Sequence, residues 1–242
     1  MSILNALSGG GGLGVLVDPA RTTVEAAEDL ARRAAGEGAI ALLLGNSFGG
    51  DGDVDAIARA IKRGAPDIPL LQFPATAAQL TASVDAVLFL SLVSGRNPQY
   101  LIEEHVRAVP FTLRHPEVEL VSTAYCLIDG GRVTSVESVS QTRPLPADKP
   151  ELVSAHLRAA TIIGMRAAYL DAGSGATRPV QPALIRAARQ AAMGPLFVGG
   201  GVRRADGVRA AREAGADVVV VGTLLESHGG RAVRELAMAA RA

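Results

Sequence analysis

The chain has 242 residues and carries 24 Lys and Arg against 24 Asp and Glu, a formal net charge of zero. Binding duplex DNA or RNA runs on released counterions and needs an excess of basic charge, so no nucleic acid is expected as a partner. Three Tyr, five Phe and no Trp are too few rings for a base-stacking platform, and the single Cys126 excludes an intramolecular disulfide framework and a cysteine-cluster metal site.

The 48% hydrophobic content supports a sizeable core. The N-terminal MSILNALSGGGG has neither a basic n-region nor a long apolar stretch, and no run approaches 18 apolar residues, which points to a cytoplasmic protein. Short aliphatic runs alternate with Ala/Arg-rich stretches of helical period from end to end, the signature of parallel βα units. GGGG at 9–12 reads as a flexible lead-in to a first strand at 14–17, followed by a helix over 23–36. A second strand at 39–44 precedes a helix over 54–63. The third strand, 70–73, runs through PATAAQLTAS (74–83), which offers only an irregular connection, into a fourth at 86–90. A helix over 98–114 and a fifth strand at 119–124 follow. Residues 125–150 form the longest irregular excursion, a candidate lid: IDGGRV suggests a hairpin turn and RPLPADKP a rigid connection. The remaining pairs are a helix at 151–163 with a strand at 167–170, 182–192 with 196–198, and 205–214 with 218–221, before a final helix at 231–241. Strands that are apolar throughout, such as IALLL and VVVV, are buried on both faces. Eight strands without a composition break predict a single (β/α)8 TIM barrel over 1–242, an α/β fold with the third helix missing or replaced by a loop.

In such a barrel, chemistry collects where strands end and loops begin. Asp18-Pro19 follows the first strand and Gly45-Asn46-Ser47 the second. The sixth ends in Tyr169-Leu170-Asp171 and runs into Ala172-Gly173-Ser174-Gly175, the seventh in Gly199-Gly200-Gly201, and the eighth in Gly222-Thr223. Glycines after strands seven and eight, ahead of helices, suit a cradle in which backbone amides hold an anion without cationic side chains. Each alone is equally a tight turn. Asp18 has two readings: it caps an Asp-Pro turn, or with a nearby Ser hydroxyl it holds Mg²⁺ against a diphosphate. Asp171 either caps the GSGA turn or serves as a general base beside the cradle. The four histidines show no metal or triad spacing, and each reads as a surface or packing residue.

The segments VLVDPA (15–20), LLLGNSFG (42–49), LLQFPAT (70–76), VLFLSLVSGRNPQYLIEEH (87–105), GMRAAYLDAGSGA (164–176), LFVGGGVRRADGVRAAREAGAD (196–217) and VVVGTLLE (219–226) resemble the geranylgeranylglyceryl phosphate synthases and their bacterial relatives, TIM-barrel prenyltransferases. The resemblance covers nearly the whole chain. It implies a missing third barrel helix, a Mg²⁺ and diphosphate site on Asp18 and Ser47, and a glycerol phosphate cradle on Gly173, Ser174, Gly175, Gly200, Gly201, Gly222 and Thr223. Tyr169 and Asp171 stand in the family's Tyr-Leu-Glu motif, whose acid contacts the glycerol hydroxyls and is the proposed base. The activity implied is transfer of a polyprenyl group from an isoprenoid diphosphate to the C3 hydroxyl of sn-glycerol 1-phosphate. A homo-oligomer follows from the same resemblance, and transient membrane-surface contact is expected for product release. By position, Phe73, Leu92, Val93, Tyr100 and Tyr125 are candidates to line a polyprenyl groove.

The sequence departs from the family at Asp171, one methylene shorter than Glu, a displacement of roughly 1.5 Å. Ala20-Arg21 stands where relatives carry a polar residue and Lys, Thr223 replaces Asn, and SLVSG replaces SLLNS. Three other readings stay open on the residues: the same donor with a different, non-phosphorylated or aromatic acceptor; a phosphate-binding barrel isomerase or lyase; and a catalytically silent binding barrel.

Overall fold

In the computed structural model, residues 2–8, 10–45, 52–222 and 230–241 are described. A short helix, α1 (Ile3–Leu7), precedes β1 (Gly12–Val17) and α2 (Val24–Gly36). Then come β2 (Ala41–Leu44), α3 (Val54–Gly64), β3 (Leu70–Gln72), a 3-10 turn at Ala77–Gln79 and β4 (Ala86–Leu92). A π-helical turn at Gln99–Glu103 runs into α4 (Glu104–Arg114), followed by β5 (Glu119–Leu127), α5 (Ser135–Ser140), α6 (Pro150–Ile162) and β6 (Ala167–Asp171). The chain closes with α7 (Pro182–Ala191), β7 (Leu196–Gly199), α8 (Ala205–Glu213), β8 (Val218–Val221) and α9 (Gly230–Arg241). The eight strands are parallel to their neighbours and close in the order β1 to β8. The chain is therefore the α/β TIM barrel that the alternation predicts.

The period-two alternation sorts side chains between two cores. Leu42, Leu44, Ala124, Cys126, Ala168, Leu170 and Val198 point outward into the layer between sheet and helices. Ala41, Leu43, Tyr125, Leu127, Tyr169, Phe197, Val218 and Val220 fill the barrel interior. That parity carries Asp171, two residues beyond Tyr169, to the inner side of the rim. Helices reach the outer layer through small residues at helical spacing. In α2 the buried positions are Ala27, Ala31 and Ala34, and the Thr23 side chain accepts the Ala26 amide at 3.2 Å to start the helix. Asp53 caps α3 in the same way, accepting from Ala56 N at 2.9 Å.

The third barrel helix is absent, and a single 3-10 turn spans the gap. Polar side chains hold this segment: Gln79 Oε1 accepts the Ala75 amide at 2.7 Å, Gln72 Oε1 accepts from Thr81 N at 3.2 Å, and Glu104 Oε2 accepts from Ala77 N at 2.8 Å. Three expectations need correction. The hairpin at IDGGRV does not form. Instead β5 continues to Leu127, Ile128 bridges Leu145 in parallel, and α5 occupies the middle of the excursion, capped by Thr134 Oγ1 accepting from Glu137 N at 3.4 Å. The helix over 98–114 opens as a π-turn before becoming α-helical. The N-terminus holds a helix, not only a lead-in: Glu119 Oε2 accepts the Ile3 amide at 2.8 Å, and Leu7 is buried with the interior core.

Candidate active site

The site builds outward from Asp171, the last residue of β6. Register sets Tyr169 beside Tyr125 of β5 and Phe197 of β7. The four rings Phe73, Tyr125, Tyr169 and Phe197 form a continuous inner cluster, with Phe73–Tyr169 centroids 4.8 Å apart, Phe73–Tyr125 and Tyr125–Tyr169 each 5.7 Å, and Tyr169–Phe197 5.9 Å and stacked. Two of the three tyrosines and two of the five phenylalanines thus collect in one place. Tyr169 needs a bare neighbour, because a Cβ on Gly199 would lie 2.5 Å from its hydroxyl oxygen.

Asp171 is buried, yet both carboxylate oxygens are engaged. Tyr125 donates its hydroxyl to Oδ2 at 2.6 Å, and Gly173 donates its amide to Oδ1 at 2.7 Å. Burial pushes the Asp171 carboxyl above its usual range, against the two donated bonds, which favour the charged form. The Tyr125 and Tyr169 hydroxyls are both held well above the ordinary phenol value, by burial first and then by the adjacent carboxylate. Of the two readings of Asp171, the turn cap is formed through Gly173, by a carboxylate buried at the end of β6.

The glycine turns lie directly against it. Gly173, Gly175, Gly200 and Gly201 all adopt positive φ. At Gly200 the requirement is strict, since a Cβ there would stand 2.6 Å from Asp171 Oδ1 and 2.6 Å from the Gly173 nitrogen. Ser174 is exposed at the tip of the β6 turn, and Gly222 follows β8. The turns after β6 and β7 thus adjoin at Gly173 and Gly200. Thr223 and Ser47 lie outside the described residues.

Asp18 follows β1 at the same end of the barrel, separated from β6 around the ring by β7 and β8. Its Oδ1 accepts the Ala20 amide at 2.9 Å, closing the turn that Pro19 opens, and Arg21 Nε stands 3.6 Å from Oδ2. Among the described residues no group of three or more His, Cys, Asp or Glu could hold a metal.

Where the third helix is absent, an apolar groove opens between residues 73–80, α4 and α5. Phe73, Leu92, Tyr100 and Tyr125 line it as expected, joined by Leu80, Phe89, Leu90, Ala108, Val136 and Val139. Val93 does not; it packs against the outer core instead. Glu104 and His105 were not anticipated in the wall. His105 stacks on Phe89 at 4.1 Å, its Nε2 lies 2.7 Å from the Leu90 carbonyl, and burial lowers its pKa. No spacing in the sequence marks it, because five residues beyond Tyr100 is not the same face of an α-helix. Of the other histidines, His115 and His156 make local contacts, to Glu117 Oε1 at 3.1 Å and the Leu152 carbonyl at 2.7 Å, and His228 lies outside the described residues.

Eight parallel strands closed on themselves, with a buried acid, bare backbone turns and an apolar groove at their C-terminal ends, define a TIM-barrel enzyme. The chain belongs to the PcrB family, whose model matches residues 14–240. It is 41% identical over 215 residues to the geranylgeranylglyceryl phosphate synthase of Cenarchaeum symbiosum, covering 88% of this chain and 85% of that protein. It is 39% identical over 220 residues to the enzyme of the same name from Spirosoma linguale, covering 91% and 88%. The crystal structure of (S)-3-O-geranylgeranylglyceryl phosphate synthase from Thermoplasma acidophilum, in complex with its substrate sn-glycerol-1-phosphate, superposes with a TM-score of 0.92 at 26% identity, over 100% of this chain and 99% of that one. The chain is accordingly an enzyme of the prenyltransferase class, and the isomerase, lyase and silent-barrel readings fall away. Among the described residues no helix is long and apolar enough to cross a membrane.

Proposed function

We propose that this enzyme transfers a polyprenyl group from an isoprenoid diphosphate to the C3 hydroxyl of sn-glycerol 1-phosphate, forming an ether. The observation that carries this is the meeting, at Tyr125, of the apolar groove with Asp171 and the glycine turns behind it. A long aliphatic tail matches a groove lined by Phe73, Leu80, Phe89 and Leu92, and a small phosphate matches bare amides in a chain of zero net charge. The acceptor oxygen bonds to C1 of the prenyl group as the bond from C1 to the diphosphate breaks. The diphosphate leaves with the electron pair, and the hydroxyl proton passes to Asp171. Each Asp171 oxygen has one internal donor and keeps acceptor capacity for a substrate hydroxyl. The glycine turns orient the phosphate, and the ring cluster excludes water from the developing positive charge on C1.

Asp18 fits a Mg²⁺ ion that takes one carboxylate and completes its shell with diphosphate oxygens and water. Such an ion would supply neutralisation of the departing diphosphate. The test is to incubate the protein with Mg²⁺, labelled prenyl diphosphates of graded length and sn-glycerol 1-phosphate. An ether product lost on chelation, and lost again in Asp18→Ala, is expected. Diphosphate release without a glycerol ether would refute the acceptor, and undiminished turnover of Asp18→Ala would refute the metal assignment.

A further inference from the structure

Tyr125 touches both halves of the site. Its ring, on the inner face of β5, lines the groove and packs on Phe73, while its hydroxyl reaches across to the carboxylate that ends β6. The acid it meets is short. An aspartate leaves the backbone with one methylene fewer than a glutamate, so its reach depends on what holds it. Three features restrict Asp171: the Tyr125 hydroxyl on Oδ2, the Gly173 amide on Oδ1, and the backbone of Gly200, close enough that a Cβ would meet Oδ1 at 2.6 Å. The amide and the glycine belong to the turns and fix one oxygen. Among the described residues only Tyr125 fixes the other, its ring lining the groove.

We propose that Tyr125 is the positioning residue for Asp171, its hydroxyl holding Oδ2 at the inner end of the groove so that the ionised acid receives the acceptor proton. This rests on the ether-forming reaction proposed above. Tyr125 keeps its own proton throughout; the proton released by the acceptor goes to a free lone pair of Asp171. The groups facing the carboxylate are Tyr125 from β5, Tyr169 from β6, the Gly199 and Gly200 backbone from β7 and the Gly173 amide. Among the described residues no Lys, Arg or His is one of the groups that shift it. Arg132 and Arg178 flank the outer turns, beside Gly175 and Gly201. With burial opposing the charge and no cation among the described residues offsetting it, two donated bonds favour the ionised form, and Tyr125 supplies one.

The experiment compares the native protein with Tyr125→Phe, which keeps the ring in the groove and removes the donor, and with 3,5-difluorotyrosine at position 125, a stronger donor. Two quantities are read: the acid limb of the kcat/KM pH profile, and the Asp171 carboxyl titration in ligand-free protein by carbon-13 NMR, its signal identified by loss in Asp171→Asn. In Tyr125→Phe both move to higher pH, and below the limb kcat/KM falls roughly tenfold while KM for the prenyl diphosphate stays unchanged. The fluorinated residue moves both to lower pH. Opposite displacements are not produced by a merely structural tyrosine, and the fluorinated protein keeps the measurement available should Tyr125→Phe not fold. Native turnover with unmoved limbs would overturn the Tyr125 assignment alone. No ether product from the native protein would instead sink the reaction, and Tyr125's part in it.

Discussion

Substitution of Gly200 by Ala probes the site through its tightest contact. The residue has φ +79° and faces Asp171 Oδ1 and the Gly173 nitrogen at 2.6 Å and the Ala172 nitrogen at 2.7 Å, measured from where a Cβ would stand. Two other glycines separate the contributions. Gly36, at the end of α2, has nothing within 4 Å and no unusual φ, so Gly36→Ala should leave stability unchanged or raise it by about 0.5–1 kcal/mol. Gly164, before the opposite end of β6, has φ +93° and nothing within 4 Å, so Gly164→Ala pays only for backbone conformation, about 1–2 kcal/mol. Gly200→Ala carries that same cost. It also forces the Asp171 carboxylate off the Gly173 amide, a buried charged hydrogen bond worth about 1–3 kcal/mol. The total is about 2–5 kcal/mol, or about 4–20 °C in Tm for a chain of this size. Urea and thermal unfolding measure the stability series. Steady-state kinetics should show kcat/KM falling by about a hundredfold in Gly200→Ala alone, because a displacement of about 1 Å at the reacting centre has that effect. Equal behaviour of Gly200→Ala and Gly164→Ala in both assays would refute the crowding.

Asp171→Glu should lower kcat/KM by roughly tenfold or more and destabilise by about 1–3 kcal/mol, since the added methylene enters a space already closed by Tyr125, Gly173 and Gly200. A faster enzyme with glycerol phosphate would refute this. His105 is held below its ordinary pKa of 6.5 by burial, so the unfolded state binds its proton more readily. That stability is fully present above 6.5 and is lost as pH falls through the lower folded value. Urea midpoints between pH 7.5 and 5 should therefore decline, and His105→Gln, which can still donate to the Leu90 carbonyl, should flatten the decline. Burial pushes the Cys126 thiol from 9.0 up to about 12. Alkylation by iodoacetamide at pH 8 should be at least about a thousandfold slower in the folded than in the urea-unfolded protein, as followed by mass spectrometry.

The barrel itself was legible because each strand carries its own signal. ALLL and VVVV announce burial on both faces, the alanines of α2 recur at helical spacing, and PATAAQLTAS lacks a helical pattern, so the missing third helix was readable too. Period-two parity also determined that Tyr169 and Asp171 share the inner face. What the sequence could not carry were relations between strands. That Tyr125 hydrogen-bonds Asp171 depends on the parallel register of β5 and β6, which no local pattern encodes. Glu104 and His105 became groove residues only because α4 lies beside the gap left by the missing helix. The helix α5 inside the 125–150 excursion escaped notice because six residues with one capping threonine are too short for periodicity to register. Local alternation and composition thus settle which elements form and which face each side chain takes, because those depend on neighbours in the chain. The partnership of the tyrosine with the acid, and the joining of groove to cradle, arise from distances that exist only once the barrel closes.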